Sequence, residues 1–159
     1  MRNPQDKILS LEQALNWRCE LRKRQLSMVV TNGCFDILHR GHCGFLHQAS
    51  RFGDVLLVLL NSDESVRALK GKARPINPAA DRAYVLASLR AVDGVVIFDG
   101  ERCDGELRAL APDTYTKGCD YGLDNLDAGE RAALEEHKSE ILFIPLVEGY
   151  STTAIIDKQ

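Results

Sequence analysis

"TNGCFDILHRGH", residues Thr31 to His42, follows the short apolar run Met28–Val30 and leads into a segment where Phe45, Leu46, Ala49 and Phe52 recur at helical spacing. A buried strand, a glycine-bearing turn and a helix in that order open a strand–helix–strand unit. Gly53 then suits a helix stop, and "DVLLVLLNS" from Asp54 supplies a second strand. It is apolar throughout, as a parallel strand covered on both faces should be.

The same alternation runs on to the end of the chain. "DESVRALK" predicts a short helix and "GKARPIN" a loop. Asn77 followed by Pro78 predicts a capped helix to about Val92, with Val85, Leu86 and Leu89 inward. "GVVIF", "DTYTKG" and "EILFIPL" read as strands; "GELRALA", "GERAALEEHK" and "STTAIIDKQ" read as helices. Before the first strand, Ser10 and Gln13 have capping-box spacing, and Leu11, Leu15, Trp17 and Leu21 can share an apolar face. Strands alternating with helices predict a single doubly wound α/β domain with a Rossmann-like parallel sheet. Residues 1–26 are expected as a helical extension and 27–159 as the α/β core.

At 159 residues, with 45% apolar and 27% charged side chains, the chain can bury one substantial core. Its net charge of −3 gives no basic field for nucleic acid and no polybasic segment for a membrane surface. The opening "MRNPQDKILS" predicts no secretory leader, and "VLLVLL" is too short to span a bilayer. Five scattered cysteines (Cys19, Cys34, Cys43, Cys103 and Cys119) contain no Cys-x-x-Cys pair, which predicts free thiols in a reducing cytoplasm.

In such sheets ligands bind beyond the carboxyl ends of the strands. There Gly33 permits close approach of backbone, and a helix start offers unpaired N–H groups and a positive dipole end. Two imidazoles, His39 and His42, beside that helix start suit a polyanion such as a triphosphate.

"GCFDILHRGH" resembles the signature of the H-x-G-H nucleotidyltransferase superfamily, with His39 and His42 as its two histidines. "EGYSTT" (Glu148–Thr153) is similar to that superfamily's phosphate-binding turn, and "RPINPAADR" (Arg74–Arg82) to the stretch leading into its central helix. "NSDESV", "LKGKARPINP" and "KGCDY" extend the likeness to the adenylyltransferases that make ADP-heptose from heptose 1-phosphate. The resemblance implies AMP transfer from ATP to a sugar 1-phosphate, with pyrophosphate released by in-line attack at the α-phosphorus. It implies magnesium travelling with ATP, no dedicated protein metal cage, and a homodimer.

Carried onto this sequence, the resemblance makes His39, His42, Lys72 and Arg82 the catalytic set. Asn32, Gly33, Cys34, Phe35, Gly41, Ser151, Thr152 and Thr153 would surround the nucleotide phosphates. Asp36, Asp63, Lys117, Gly118 and Asp120 would meet substrate or nucleotide. Plainer readings stand beside these: Asp36 and Asp63 as helix or turn caps, Arg82 and Lys72 as solvated cations, Ser151 as an N-cap, Cys34 as a small buried residue. Cys119 stands where the heptose enzymes usually show glycine, and "DTYT" is more polar than the expected strand. Two other functions remain open on sequence: a glycerol-3-phosphate-type cytidylyltransferase using CTP, and a nucleotide-binding regulatory module without turnover.

Overall fold

In the computed structural model, residues 3–118 and 122–145 are described. Their elements run β1 (Ile8–Leu9), α1 (Leu11–Lys23), β2 (Met28–Gly33), α2 (Arg40–Ala49), β3 (Val55–Asn61) and α3 (Asp63–Lys70). They continue with α4 (Ala79–Ser88), β4 (Gly94–Phe98), α5 (Asp104–Leu110), β5 (Thr114–Gly118), α6 (Ala128–Glu136) and β6 (Glu140–Ile144). The expected last helix, 151–159, lies outside the described residues.

One sheet holds all six strands in the order β1-β4-β3-β2-β5-β6, and every adjacent pair is parallel. From β2 the chain winds outward through β3 and β4, then crosses to β5 and β6 on the other side. This reversal opens a crevice between the carboxyl ends of β2 and β5, the place where a doubly wound sheet takes its ligand.

Side-chain alternation splits the core into two layers. Met28, Val30, Leu57 and Leu59 pack under α1, α5 and α6 with Leu107 and Leu134. Val29, Leu56, Val58 and Leu60 pack under α2 and α4 with Phe45 and Leu86. The doubly wound domain expected from sequence is what forms.

The segment expected as a helical extension is part of this sheet. Ile8 and Leu9 pair with Val95 and Val96 and make β1 the edge strand. A two-residue strand has no period to read, so the sequence shows only the helix after it. That helix starts as expected: Ser10 Oγ accepts from Gln13 N at 3.1 Å, and Gln13 Oε1 accepts from Ser10 N at 2.8 Å. Trp17 then lies over Gly94, where an added Cβ would come within 2.9 Å of the indole ring.

Helix α4 departs from expectation in two ways. It ends at Ser88 rather than near Val92, and Val85 is 46% exposed rather than inward. Its buried stripe is Arg82, Ala83, Leu86 and Ala87. An arginine takes the place an apolar side chain would fill, and the helix is rotated so that Val85 faces out.

Arg18 ties α1 to the sheet. Its guanidinium donates to the carbonyls of Leu110 (3.2 Å) and Ala111 (2.8 Å) and to Asp113 Oδ2 (2.8 Å). The same Asp113 oxygen accepts from Met28 N at 2.7 Å, so one carboxylate joins α1 to the starts of β2 and β5. Burial works against the Asp113 charge, yet the Arg18 bond and the Met28 N–H together hold its carboxyl below the usual range. Arg18→Ala should lower stability by about 2–3 kcal/mol, because buried carbonyls lose charge-assisted donors. Arg18→Lys should recover only part of it, since an ammonium cannot span three acceptors in a fork. Urea unfolding of both variants checks this.

Candidate active site

At the crevice, β2 ends in Asn32 and Gly33, and the turn through Cys34 to Leu38 leads into α2. Phe35 has φ 43°, the left-handed region that bulky residues avoid. Strain of this kind persists where surroundings over-determine it, often at ligand-binding turns. Gly33 is required by this turn, because a Cβ there would lie 2.9 Å from the Phe35 ring. Phe35 in turn meets His42 edge-on, with ring centroids 5.2 Å apart and planes at 62°.

His39 and His42 stack with centroids 3.8 Å apart and planes at 24°. His39 is the N-cap of α2, and its Nδ1 accepts from Gly41 N at 3.1 Å. An accepting Nδ1 places the proton of the neutral ring on Nε2, which makes His39 a hydrogen-bond donor without a positive charge. Burial lowers the His39 pKa. For His42, burial first and then the neighbouring His39 charge bring the pKa down to about 4, against a smaller opposing contact with the Ile37 backbone. Two stacked rings cannot both carry charge cheaply. The pair is therefore neutral at pH 7. His42 Nδ1 is buried with no hydrogen-bond partner among the described residues.

Arg82, expected in the catalytic set, has its guanidinium directed at protein groups. It is 2% exposed. Nε donates to the Asn77 carbonyl (2.9 Å), Nη1 to the carbonyls of Cys34 (2.6 Å) and Asn61 (2.8 Å), and Nη2 to Asp63 Oδ1 (2.7 Å). The guanidinium is a clasp on three backbone segments at the crevice. Asp63, expected to meet substrate, is its counter-charge and also caps α4, accepting from Ala79 N at 2.8 Å. Asn77, expected as that cap, instead donates from its side chain to the Asp36 carbonyl at 2.8 Å.

Asp36 is likewise directed at protein. Its carboxylate accepts from Ile76 N (2.8 Å) and Asn77 N (3.0 Å) and pairs with Arg74. Burial opposes its charge, but those two N–H groups and the arginine outweigh it and hold the carboxyl below the usual range. Lys72 is exposed on the loop that Asp36 pins at its far end, after α3 ends at Gly71 with φ 95°. Cys34 is half-buried. Burial raises its pKa against the pull of Lys70, Arg82 and Arg74, so the thiol stays protonated.

Across the crevice, Asn32 Oδ1 accepts from both Lys117 Nζ (2.7 Å) and the Tyr115 hydroxyl (2.7 Å). Gly118 closes β5 beside Ile144. Asp120, Ser151, Thr152 and Thr153 lie outside the described residues. Sequence reasoning passed over Tyr115 and Arg74. The only signal for Tyr115 was the unexpected polarity of "DTYT", and Arg74 could be linked to Asp36 only through the fold.

No group of three or more His, Cys, Asp or Glu among the described residues could hold a metal ion, and no described helix is long and apolar enough to cross a membrane. Asp36 and Asp63 already face arginines and N–H groups. This donor set fits a cation that arrives coordinated by a ligand's phosphates, not one caged by side chains.

Comparison with known proteins shows the family and the fold. The cytidylyltransferase-like family profile matches residues 30–158. "Bifunctional protein HldE" of Helicobacter acinonychis (strain Sheeba) is 47% identical over 152 residues, covering 96% of this chain and 31% of that protein. The protein of the same name from Koribacter versatilis (strain Ellin345) is 45% identical over 155 residues, covering 97% of this chain and 31% of the relative. The chain thus spans about a third of the length of the curated relatives it matches. Among solved structures, the lipopolysaccharide core biosynthesis protein from Thermoplasma volcanium GSS1 superposes with a TM-score of 0.62 at 25% identity, covering 79% of this chain and 99% of that one. The pantoate-beta-alanine ligase from Francisella tularensis shares the fold at a TM-score of 0.56 and 15% identity, covering 94% of this chain and 75% of that one.

Two outcomes follow from the geometry. Arg82→Lys should unfold earlier by about 3 kcal/mol in urea, since it strands buried acceptors, rather than only raising a KM. Stability should also fall as pH drops from about 6.5 towards 4. The unfolded chain takes up protons there that folded His42 refuses, so a depressed pKa gives stability present above 6.5 and lost below. Discounted for partial exposure of the ring, the loss by pH 4.5 is about 1–2 kcal/mol. The gap between urea midpoints at pH 7 and pH 4.5 should be smaller in His42→Gln than in the wild type.

Proposed function

This chain belongs to the cytidylyltransferase-like family, and from that membership we propose that it moves an AMP unit from ATP onto a sugar 1-phosphate. The acceptor is a heptose 1-phosphate and the products are the ADP-sugar and pyrophosphate. The observation that carries the reading is the stacked His39–His42 pair at the switch-point crevice, on the start of α2. Support for the heptose comes from the motif resemblance running through "NSDESV", "LKGKARPINP" and "KGCDY". Similarity to the HldE proteins, and to a structure named for lipopolysaccharide core biosynthesis, agrees with it.

The chemistry is an in-line displacement. An oxygen of the sugar phosphate attacks the α-phosphorus, a new P–O bond forms, and the bond to the bridging oxygen breaks with its electron pair leaving on pyrophosphate. Such a transfer needs alignment and charge stabilisation more than covalent help. His39 Nε2–H is a preset donor for phosphate oxygens on which charge accumulates. His42, stacked on it, presents a second imidazole to the same phosphates. The α2 N-terminus adds N–H groups and its dipole. Lys117 faces the crevice from the β5 side as a cation for phosphate, and Lys72, exposed on its loop, would supply a second. By the motif resemblance, Ser151, Thr152 and Thr153 would add further phosphate contacts. Arg82, Asp63 and Asp36 hold the turns that carry these groups. Magnesium arriving with ATP would supply further charge neutralisation at the phosphates.

A coupled pyrophosphate-release assay across ATP, CTP and several sugar phosphates tests the reading. Turnover should be highest with ATP and heptose 1-phosphate, and preference for CTP with glycerol 3-phosphate would replace it. ATP binding without turnover on any acceptor would point instead to a regulatory module. His42→Ala should cut turnover at least about a hundredfold, as loss of a transition-state donor does.

A further inference from the structure

Strand β5 reads Thr114–Tyr115–Thr116–Lys117–Gly118, and alternation sends Tyr115 and Lys117 to the same face of the sheet. The Tyr115 ring is fully buried in the layer under α1, α5 and α6. Its hydroxyl reaches the crevice, where it donates to Asn32 Oδ1 at 2.7 Å. Lys117 Nζ donates to that same oxygen at 2.7 Å and to the Tyr115 oxygen at 3.3 Å. Its ammonium also stands 5.9 Å from the centre of the tyrosine ring. Three polar groups from two adjacent strands thus close a triangle at the switch point.

A lysine on a four-carbon stem is a point charge with many rotamers, and fixing it costs entropy. Tyrosine has two side-chain torsions, and here its ring is already locked by the core. A hydroxyl on that ring supplies an oxygen whose position the fold determines. Packing alone at this position would be served by an apolar side chain; a buried hydroxyl needs a partner, and this one meets Asn32 and Lys117.

We infer that Tyr115 is a positioning residue, whose hydroxyl acts through the shared Asn32 oxygen to hold the Lys117 ammonium in the crevice for a substrate phosphate. This rests on the phosphate role given to Lys117 above. The phosphate belongs either to the nucleotide or to the sugar acceptor, and separate measurements for each distinguish the two.

The test is a double-mutant cycle on the full chain, comparing wild type, Tyr115→Phe, Lys117→Met and the double variant. Calorimetry would measure binding of ATP with magnesium and of heptose 1-phosphate separately, alongside the KM for each and kcat at saturation. Tyr115→Phe should weaken one of the two ligands about tenfold with a smaller change in kcat, and should add nothing in the Lys117→Met background. An equal loss in both backgrounds would overturn the inference, because a packing defect does not depend on the lysine. Unchanged affinity for both ligands in Tyr115→Phe would overturn it too. Asn32→Ser removes the shared acceptor without touching the ring, and its effect should depend on Lys117 in the same way. A wild type that binds both ligands but forms no ADP-sugar would sink the proposed activity, with the cycle still read by binding. An active wild type whose Lys117→Met variant binds both ligands normally would sink the positioning role alone. No binding of either ligand by the wild type would overturn both.

Discussion

A guanidinium buried to 2% exposure is the constraint on which the crevice depends. Arg82 joins the turn after β2, the end of β3 and the loop before α4 through the carbonyls of Cys34, Asn61 and Asn77. Taking that charge out of water is expensive, and a single half-buried carboxylate, Asp63, opposes it. Such an arrangement survives because each of the four acceptors would otherwise be left without its strongest donor. Asp36 repeats the device with opposite sign, gathering Arg74 and two backbone N–H groups from the same loop. Between them, two buried charges fix loops that have no regular structure of their own.

This explains why part of the site could be read from the sequence and part could not. Strands β2 to β6, most helices and the Ser10–Gln13 cap follow from local rules: apolar runs, helical spacing and side chains three residues apart. The position of His39 and His42 follows as well, because a strand, a glycine turn and a helix start fix where a doubly wound sheet puts its ligand. Arg82 is different. An arginine one turn into a helix looks the same in sequence whether it faces a ligand or the backbone, and its partners lie up to 48 residues away. Asp36 and Arg74 are 38 residues apart, and Tyr115 meets Asn32 across 83. The expected turn of α4 failed for the same reason, since a buried arginine took the inward stripe that hydrophobic spacing assigned partly to Val85.

The histidine pair shows what the crevice lacks when no ligand is considered. Burial keeps both rings neutral, and for His42 the neighbouring His39 adds to it and brings the pKa down to about 4. An anion beside the rings favours their protonated form and so opposes the burial that holds them neutral. The stacked pair is therefore an environment whose electrostatics improve when a phosphate arrives, while the neutral His39 already offers its Nε2–H. Charge is held back from the rings rather than supplied permanently, which limits their mutual repulsion.

Alignment at the crevice also depends on contacts at the opposite ends of β2 and β5. Thr31 pairs with Thr116, which sets Asn32 beside Lys117 on the face shared with Tyr115. A slip of one residue between β2 and β5 would turn Lys117 to the other face and break the triangle. That register is pinned where the strands begin, because Asp113 precedes β5 and accepts from the first N–H of β2. Arg18 of α1 holds the same carboxylate. Through that one aspartate, helix α1 bears on which side chains meet at the crevice. Strand pairing carries that alignment along β2 and β5 from Met28 to Lys117, so the segment that reads as an extension is part of what aligns the site.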